Sequence, residues 1–137
     1  MKLNTKVRYG LRAMVDIAAN QEQGGVLQKT ISTRQQISVK YLDVIISSLK
    51  RQGLIINTAG KKSGYKLTRP AEEISAYDIY RAFEPELLLV NCIYNKIICE
   101  RSDTCVAHDY WSELNQHLKT LMENTSLKQV MSGTFNF

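Results

Sequence analysis

Three cysteines and a histidine fall within seventeen residues, Cys92, Cys99, Cys105 and His108, spaced C-x6-C-x5-C-x2-H. The stretch is polar and broken (Asn91, Asn95, Lys96, Glu100, Arg101, Ser102, Asp103, Thr104), so it does not read as a core element. Three thiolates and one imidazole supply four donors, enough for a tetrahedral zinc or for an iron–sulfur cluster. The alternative is a set of ordinary free thiols, buried and inert. Concentration of every cysteine of the chain in one short segment, closed by a histidine, favours the metal centre. Elsewhere no Ser-His-Asp set, paired carboxylates or phosphate-cradling loop is legible, and His117 lies on a helical seam. Neither an enzyme nor a small-molecule substrate is expected.

The elements that must position this segment fit one domain, or one domain with a short appendage: 137 residues, 44% of them hydrophobic. No apolar run reaches the length of a membrane span, and the first residues, MKLNTKVRYG, lack an apolar signal region. A cytoplasmic protein with reduced thiols and no membrane partner is therefore expected. The net charge of +5 leans toward polyanionic partners, and its placement matters more than its size.

Asn4 or Thr5 can cap a helix running to about Asn20, with Val7, Leu11, Met14 and Ala18 at helical spacing and Val15 and Ile17 widening the stripe. Lys6, Arg8 and Arg12 lie off that stripe, either approaching phosphates or forming a solvated basic face. After the polar loop from Gln21 to Gly25, Leu27, Ile31 and Ile37 mark a short helix ending near Gln36. Ser38 reads as the cap of the next, with Leu42, Ile45, Ile46 and Leu49 inward and Gly53 past its end. Two helices so joined predict a helix-turn-helix. The second exposes Lys40, Tyr41, Asp43, Val44, Ser47, Lys50 and Arg51, short polar groups near its start and cations near its end. A helix entering the major groove wants that order, base edges read first and phosphates gripped along the flank.

Two β-prone runs, 54–58 and 65–68, flank a tip bearing Lys61 and Lys62, and predict the wing of a winged helix. Ser75 with Asp78 starts a further helix, stapled by Ile74 and Ile79, that passes Ala82 and Phe83 and stops by Pro85. Leu87 to Val90 leads into the cysteine segment. From His108 a helix runs to about Asn124, spanning about 25 Å. Its stripe of Trp111, Leu114, Leu118 and Leu121, with Met122, has little downstream to cover it, so a homodimer seam is expected there. Ser126 to Met131 forms a last short helix. The division is then 1–84 for DNA binding, 85–108 for the cysteine segment and 109–137 for the dimer helix and tail.

The opening Met1–Lys6 with Arg8 and Tyr9, the Ile37–Ser38 turn, Tyr41–Leu42, Leu49 through Leu54, the Gly64–Tyr65 wing and the three cysteines with histidine together resemble the IscR-like family of bacterial winged-helix regulators. The resemblance extends to about Val130. It implies a mainly α fold with a small β-hairpin wing, a homodimer crossing through long C-terminal helices, and a double-stranded DNA operator as partner. It also implies an iron–sulfur cluster, 2Fe-2S rather than 4Fe-4S, on Cys92, Cys99 and Cys105, with His108 matching the fourth ligand. Relatives of another type draw an acidic ligand from the first helix of the partner subunit. Arg8 stands at that position here and cannot ligate iron. Three departures are visible: one extra residue between the first two cysteines, Ala59 where a wing arginine stands in the family, and Val44 in place of a base-reading glutamine. Ser38, Lys40, Tyr41, Asp43, Val44, Ser47, Lys50, Arg51, Arg8 and the wing lysines are the expected DNA-facing residues.

The expected function is a transcription regulator whose operator affinity depends on the cluster. Two alternatives stay open: thiol oxidation or zinc in place of the cluster, and an iron–sulfur electron-transfer or carrier protein.

Overall fold

The computed structural model describes residues 2–59, 63–93, 99–135 and 137. Lys61 and Lys62, the expected wing tip, lie outside the described residues, as does 94–98 of the cysteine segment. Helix α1 (Thr5–Asn20) starts where the Asn4 side chain accepts the Lys6 N–H at 2.8 Å, satisfying a donor the helix cannot. Its buried face is Val7, Gly10, Ala13, Met14 and Ile17, while Leu11, Val15 and Ala18 are half-buried at its edge. The inward stripe is thus rotated from the expected one, because α1 is packed from more than one side. Gly10 marks the tightest approach: a Cβ there would collide with the Phe83 ring.

Helix α2 (Gln28–Gln35) ends on Gln36, a non-glycine residue in the left-handed region at φ 55°. Leu27 precedes the helix and stays exposed rather than joining its inner stripe; Ile31 and Ile37 are buried. Ser38 then caps α3 (Val39–Arg51), its hydroxyl accepting the Tyr41 N–H at 3.1 Å. Leu42, Ile45, Ile46 and Leu49 are all buried, as their spacing requires. Strands β1 (Ile55–Asn57) and β2 (Tyr65–Leu67) pair antiparallel, Ile55 opposite Leu67 and Asn57 opposite Tyr65. Val26 adds a bridge on the other side of Tyr65, through N–H···O bonds of 2.9 and 2.8 Å. The hairpin is therefore sewn to the segment before α2. Gly64 permits this, since a Cβ there would lie 2.7 Å from the Val26 nitrogen.

Helix α4 (Ala76–Arg81) carries the Ser75–Asp78 capping box; Ala82 and Phe83 already belong to the turn ahead of Pro85. Helix α5 (Val106–Asn124) begins one half-turn earlier than expected, with Cys105 as its N-cap residue, and α6 (Leu127–Ser132) follows a second capping box, Ser126 with Gln129.

Two apolar clusters hold the elements together. The larger joins Met14 and Ile17 of α1, Ile31 of α2, the α3 face, Ile55, Leu67, Ile74 and Ile79. Leu127 of α6 is fully buried in it, and the backbone bonds Leu127 N to Ile74 O (2.7 Å) and Ala76 N to Thr125 O (2.8 Å) fasten the last helix to the first 84 residues. Each such side chain contributes about 1.5–3 kcal/mol on burial. The smaller cluster is Val7, Tyr77, Tyr80 and Leu87, against which Leu118 and Met122 of α5 pack. Among the described residues no helix is long and apolar enough to cross a membrane.

Candidate nucleic-acid interface and cysteine site

Polar contacts join α1 to the end of α2, just ahead of α3. Asp16, 3% exposed on the inner side of α1, accepts from Arg34 Nε (3.0 Å), Arg34 Nη2 (2.6 Å) and Gln35 Nε2 (3.0 Å). A buried carboxylate is stable only when so compensated. The hydrogen bond to Asp16 pushes the Arg34 pKa up from its ordinary value, against the smaller opposing effect of burial. Arg12 donates to the Gln35 backbone carbonyl, and its Nε to Gln35 Oε1 at 3.3 Å. The end of α2 is thereby clamped to α1, and with it the turn that aims α3.

On the outward side, Lys40, Ser47, Lys50 and Arg51 are exposed, as is Val44. Tyr41 is half-buried instead: its ring stands edge-on to Tyr9 with centroids 5.4 Å apart. The guanidinium groups of Arg12 and Arg8 lie 5.2 and 6.0 Å from the centre of the Tyr9 ring. Tyr9 thus gathers Arg8 and α3 into one face. Asp43 is not free to read a base alone, since its carboxylate accepts from Gln28 Nε2 at 2.6 Å. Ser38 spends its hydroxyl as acceptor for the cap. The Lys50 ammonium lies 5.9 Å from the Tyr65 ring centre, joining the end of α3 to the wing. Gln28, Tyr9 and Asp16 were not anticipated from sequence; an acid inside an apolar helical stripe was the available signal for Asp16.

At the other end of the molecule, Cys92, Cys99, Cys105 and His108 line one cavity of about 170 Å³, walled also by Val90, Ser102, Ala107 and Trp111. The three cysteines are free thiols and half-buried. Cys92 sits in the short helical turn Asn91–Ile93. Ser102 donates from its hydroxyl to the Cys99 carbonyl (2.9 Å), closing the turn after Cys99. Cys105 and His108 share the first turn of α5, where the helix dipole favours negative charge. Both ring nitrogens of His108 are buried without a hydrogen-bond partner among the described residues; the Asp109 carboxylate is 3.6 Å from Nδ1, beyond bonding range. A buried imidazole with neither nitrogen satisfied is costly and calls for a partner. The donor set fits an iron–sulfur cluster on these grounds. Among the described residues no three His, Cys, Asp or Glu side chains close on a single ion.

Along α5, Trp111 is 38% exposed, and Leu114, Leu118, Leu121 and Met122 are half-buried. Leu118 and Met122 pack within the chain against Val7, Tyr77, Tyr80 and Leu87, so upstream residues cover part of the stripe. Burial, and secondarily the charge of Glu84, push the Tyr80 phenol pKa up in that cluster. The buried residue of α5 is Asn115, whose amide bonds to the backbone of Leu87 and Leu89. Its signal was a polar residue inside the seam, four after Trp111 and three before Leu118.

Residues 3–133 match the Rrf2 family, described as iron-dependent transcriptional regulators. The chain belongs to the Rrf2 family. Among its members, the HTH-type transcriptional regulator IscR of Cronobacter sakazakii is 33% identical over 133 residues, 97% of this chain and 82% of that one. The structure of CymR, the global cysteine regulator of B. subtilis, superposes with a TM-score of 0.80 at 27% identity, covering 98% of this chain and 99% of that one. The oxidized form of Staphylococcus aureus CymR superposes with a TM-score of 0.75 at 34% identity over 96% of both chains. This Rrf2 chain is thus a transcriptional regulator with a winged-helix fold, and relatives of both the IscR and CymR types bear the likeness out.

Proposed function

We propose that the chain is a homodimeric, operator-binding regulator whose DNA affinity is set by an iron–sulfur cluster, 2Fe-2S in preference to 4Fe-4S. The observation that carries this reading is the cavity lined by three free cysteines and a histidine whose buried ring nitrogens have no partner among the described residues. Cys92, Cys99, Cys105 and His108 would hold the cluster. A bound cluster supplies a group whose occupancy and charge follow iron and oxidant supply.

The protein side of the mechanism lies in where those residues are attached. Cys105 and His108 ride on α5; Cys92 ends the segment whose Leu87 packs on Val7, Tyr77 and Tyr80 of the DNA-binding head. Placement of one set relative to the other bears on how the head sits against the dimer helix. In a homodimer, Trp111, Leu114 and Leu121 would face the second copy, with Leu118 and Met122 serving both sides. Lys40 and Ser47 would approach base edges, and Arg8, Lys50, Arg51, Lys61 and Lys62 phosphates.

Anaerobically purified protein should be coloured and contain iron and sulfide, and its operator affinity should differ about tenfold between loaded and iron-free forms. Colourless, iron-free protein whose DNA binding responds to peroxide would instead favour thiol oxidation on the same three cysteines. That second reading draws support from the oxidized form known for S. aureus CymR.

A further inference from the structure

Among the described residues of α5 only Asn115 is buried, at 8% exposure, although the helix carries three leucines and a methionine that are not. Its amide is used at both ends. Oδ1 accepts the Leu89 N–H at 2.8 Å, and Nδ2 donates to the Leu87 carbonyl at 3.0 Å. A planar amide offers an acceptor and a donor side by side, so it can pair with alternate residues of an extended segment much as a neighbouring strand does.

The position of this clamp gives it a consequence. Leu89 lies three residues before Cys92, and Asn115 follows His108 by seven, two helical turns on the same face. Cys105 and His108 are attached to α5 by the chain itself. Cys92 belongs to a segment that could slide along α5, and the two bonds to Asn115 oppose that slide. Leu87, at the other end of the clamp, is 1% exposed beneath Val7, Tyr77 and Tyr80. We propose that Asn115 is the positioning residue of the cysteine site: by pinning residues 87–89 to α5 it sets where Cys92 stands relative to Cys105 and His108. The purpose of that placement rests on the cluster reading above; the placement itself does not.

The test uses the full chain, reduced and free of iron. Each cysteine is followed by mass spectrometry during alkylation with iodoacetamide. Asn115→Leu keeps the branched four-atom side chain, raises helix propensity and removes both hydrogen bonds. Cys92 should then react about tenfold faster, while Cys105 stays within about twofold of wild type. An unchanged ratio of the two rates in folded Asn115→Leu overturns the proposal. Should that variant lose its circular dichroism, amide exchange of the wild type decides: the Leu89 N–H must be protected, and free exchange there counts against the clamp. Reconstitution with iron and sulfide adds a separate arm. Asn115→Leu should take up the cluster with shifted visible bands. Failure of the wild type to take it up at all sinks the cluster reading and leaves the alkylation result standing.

Discussion

The two ends of the molecule treat buried polar groups in opposite ways. Beneath the recognition helix, the Asp16 carboxylate has three donors and Arg34, Gln35 and Arg12 are all engaged. Beside α5, a buried imidazole has no partner among the described residues and three cysteines line a shared cavity. A saturated network fixes geometry and asks nothing of a ligand. An unsatisfied set of soft donors is stable at a cost, and that cost is recovered when something binds. The contrast separates a scaffold from a candidate ligand site within one small chain.

Replacing the donors of the proposed cluster site should give the largest effect. Cys92→Ser, Cys99→Ser or Cys105→Ser should each abolish stable iron and sulfide content while thermal unfolding barely moves, because all three are free thiols and only half-buried. His108→Ala should leave a labile or spectrally shifted cluster, since a water or nearby carboxylate can replace one imidazole. Full iron occupancy in all three serine variants would mean the ligands lie elsewhere.

Breaking the scaffold should do the converse. Asp16→Ala should lower unfolding free energy by about 2–3 kcal/mol in urea titrations. The value sits at the lower end for a buried pair because the Arg34 side chain is 40% exposed and regains water. Operator affinity should fall and iron content should not. Loss of iron with unchanged stability would erase the distinction between the two ends.

A smaller effect is expected at the DNA surface. Replacing Lys61 and Lys62 together should weaken binding to every sequence and flatten the salt dependence by about one to two units of slope. Replacing Lys40 should change base preference instead. An unaltered slope in the double variant would remove the hairpin from the contact.

The smallest concerns an exposed pair. The Glu72 carboxyl is held below its ordinary pKa by a backbone hydrogen bond and by the Lys128 ammonium 3.3 Å away. A carboxylate depressed in the folded state contributes stability above its unfolded pKa, and that contribution fades as pH falls through the folded value. Lys128→Ala should lower stability slightly at neutral pH and flatten the fall toward acid, with no change at a pH below the folded value. A neutral-pH loss as large as that of Asp16→Ala would show that α6 is held by the pair rather than by Leu127.

Helix starts and turns were legible because their causes are local. Asn4, Ser38, Ser75 and Ser126 each bond to a backbone N–H two or three residues on, and the α3 stripe needs only its own period. The cysteine segment was legible for a related reason: three of its donors and their neighbours lie within one short run, so chemistry and spacing coincide. Long-range pairing was not. Nothing local says that Asp16 finds Arg34, that Val26 joins the hairpin, that Leu127 returns to the first core, or that Asn115 binds residues 26 and 28 positions earlier. Each is a contact between faces that sequence order leaves unassigned. Their partners are chosen by which surfaces meet once the helices pack, since a buried polar group must take whatever donor or acceptor the packing brings to it.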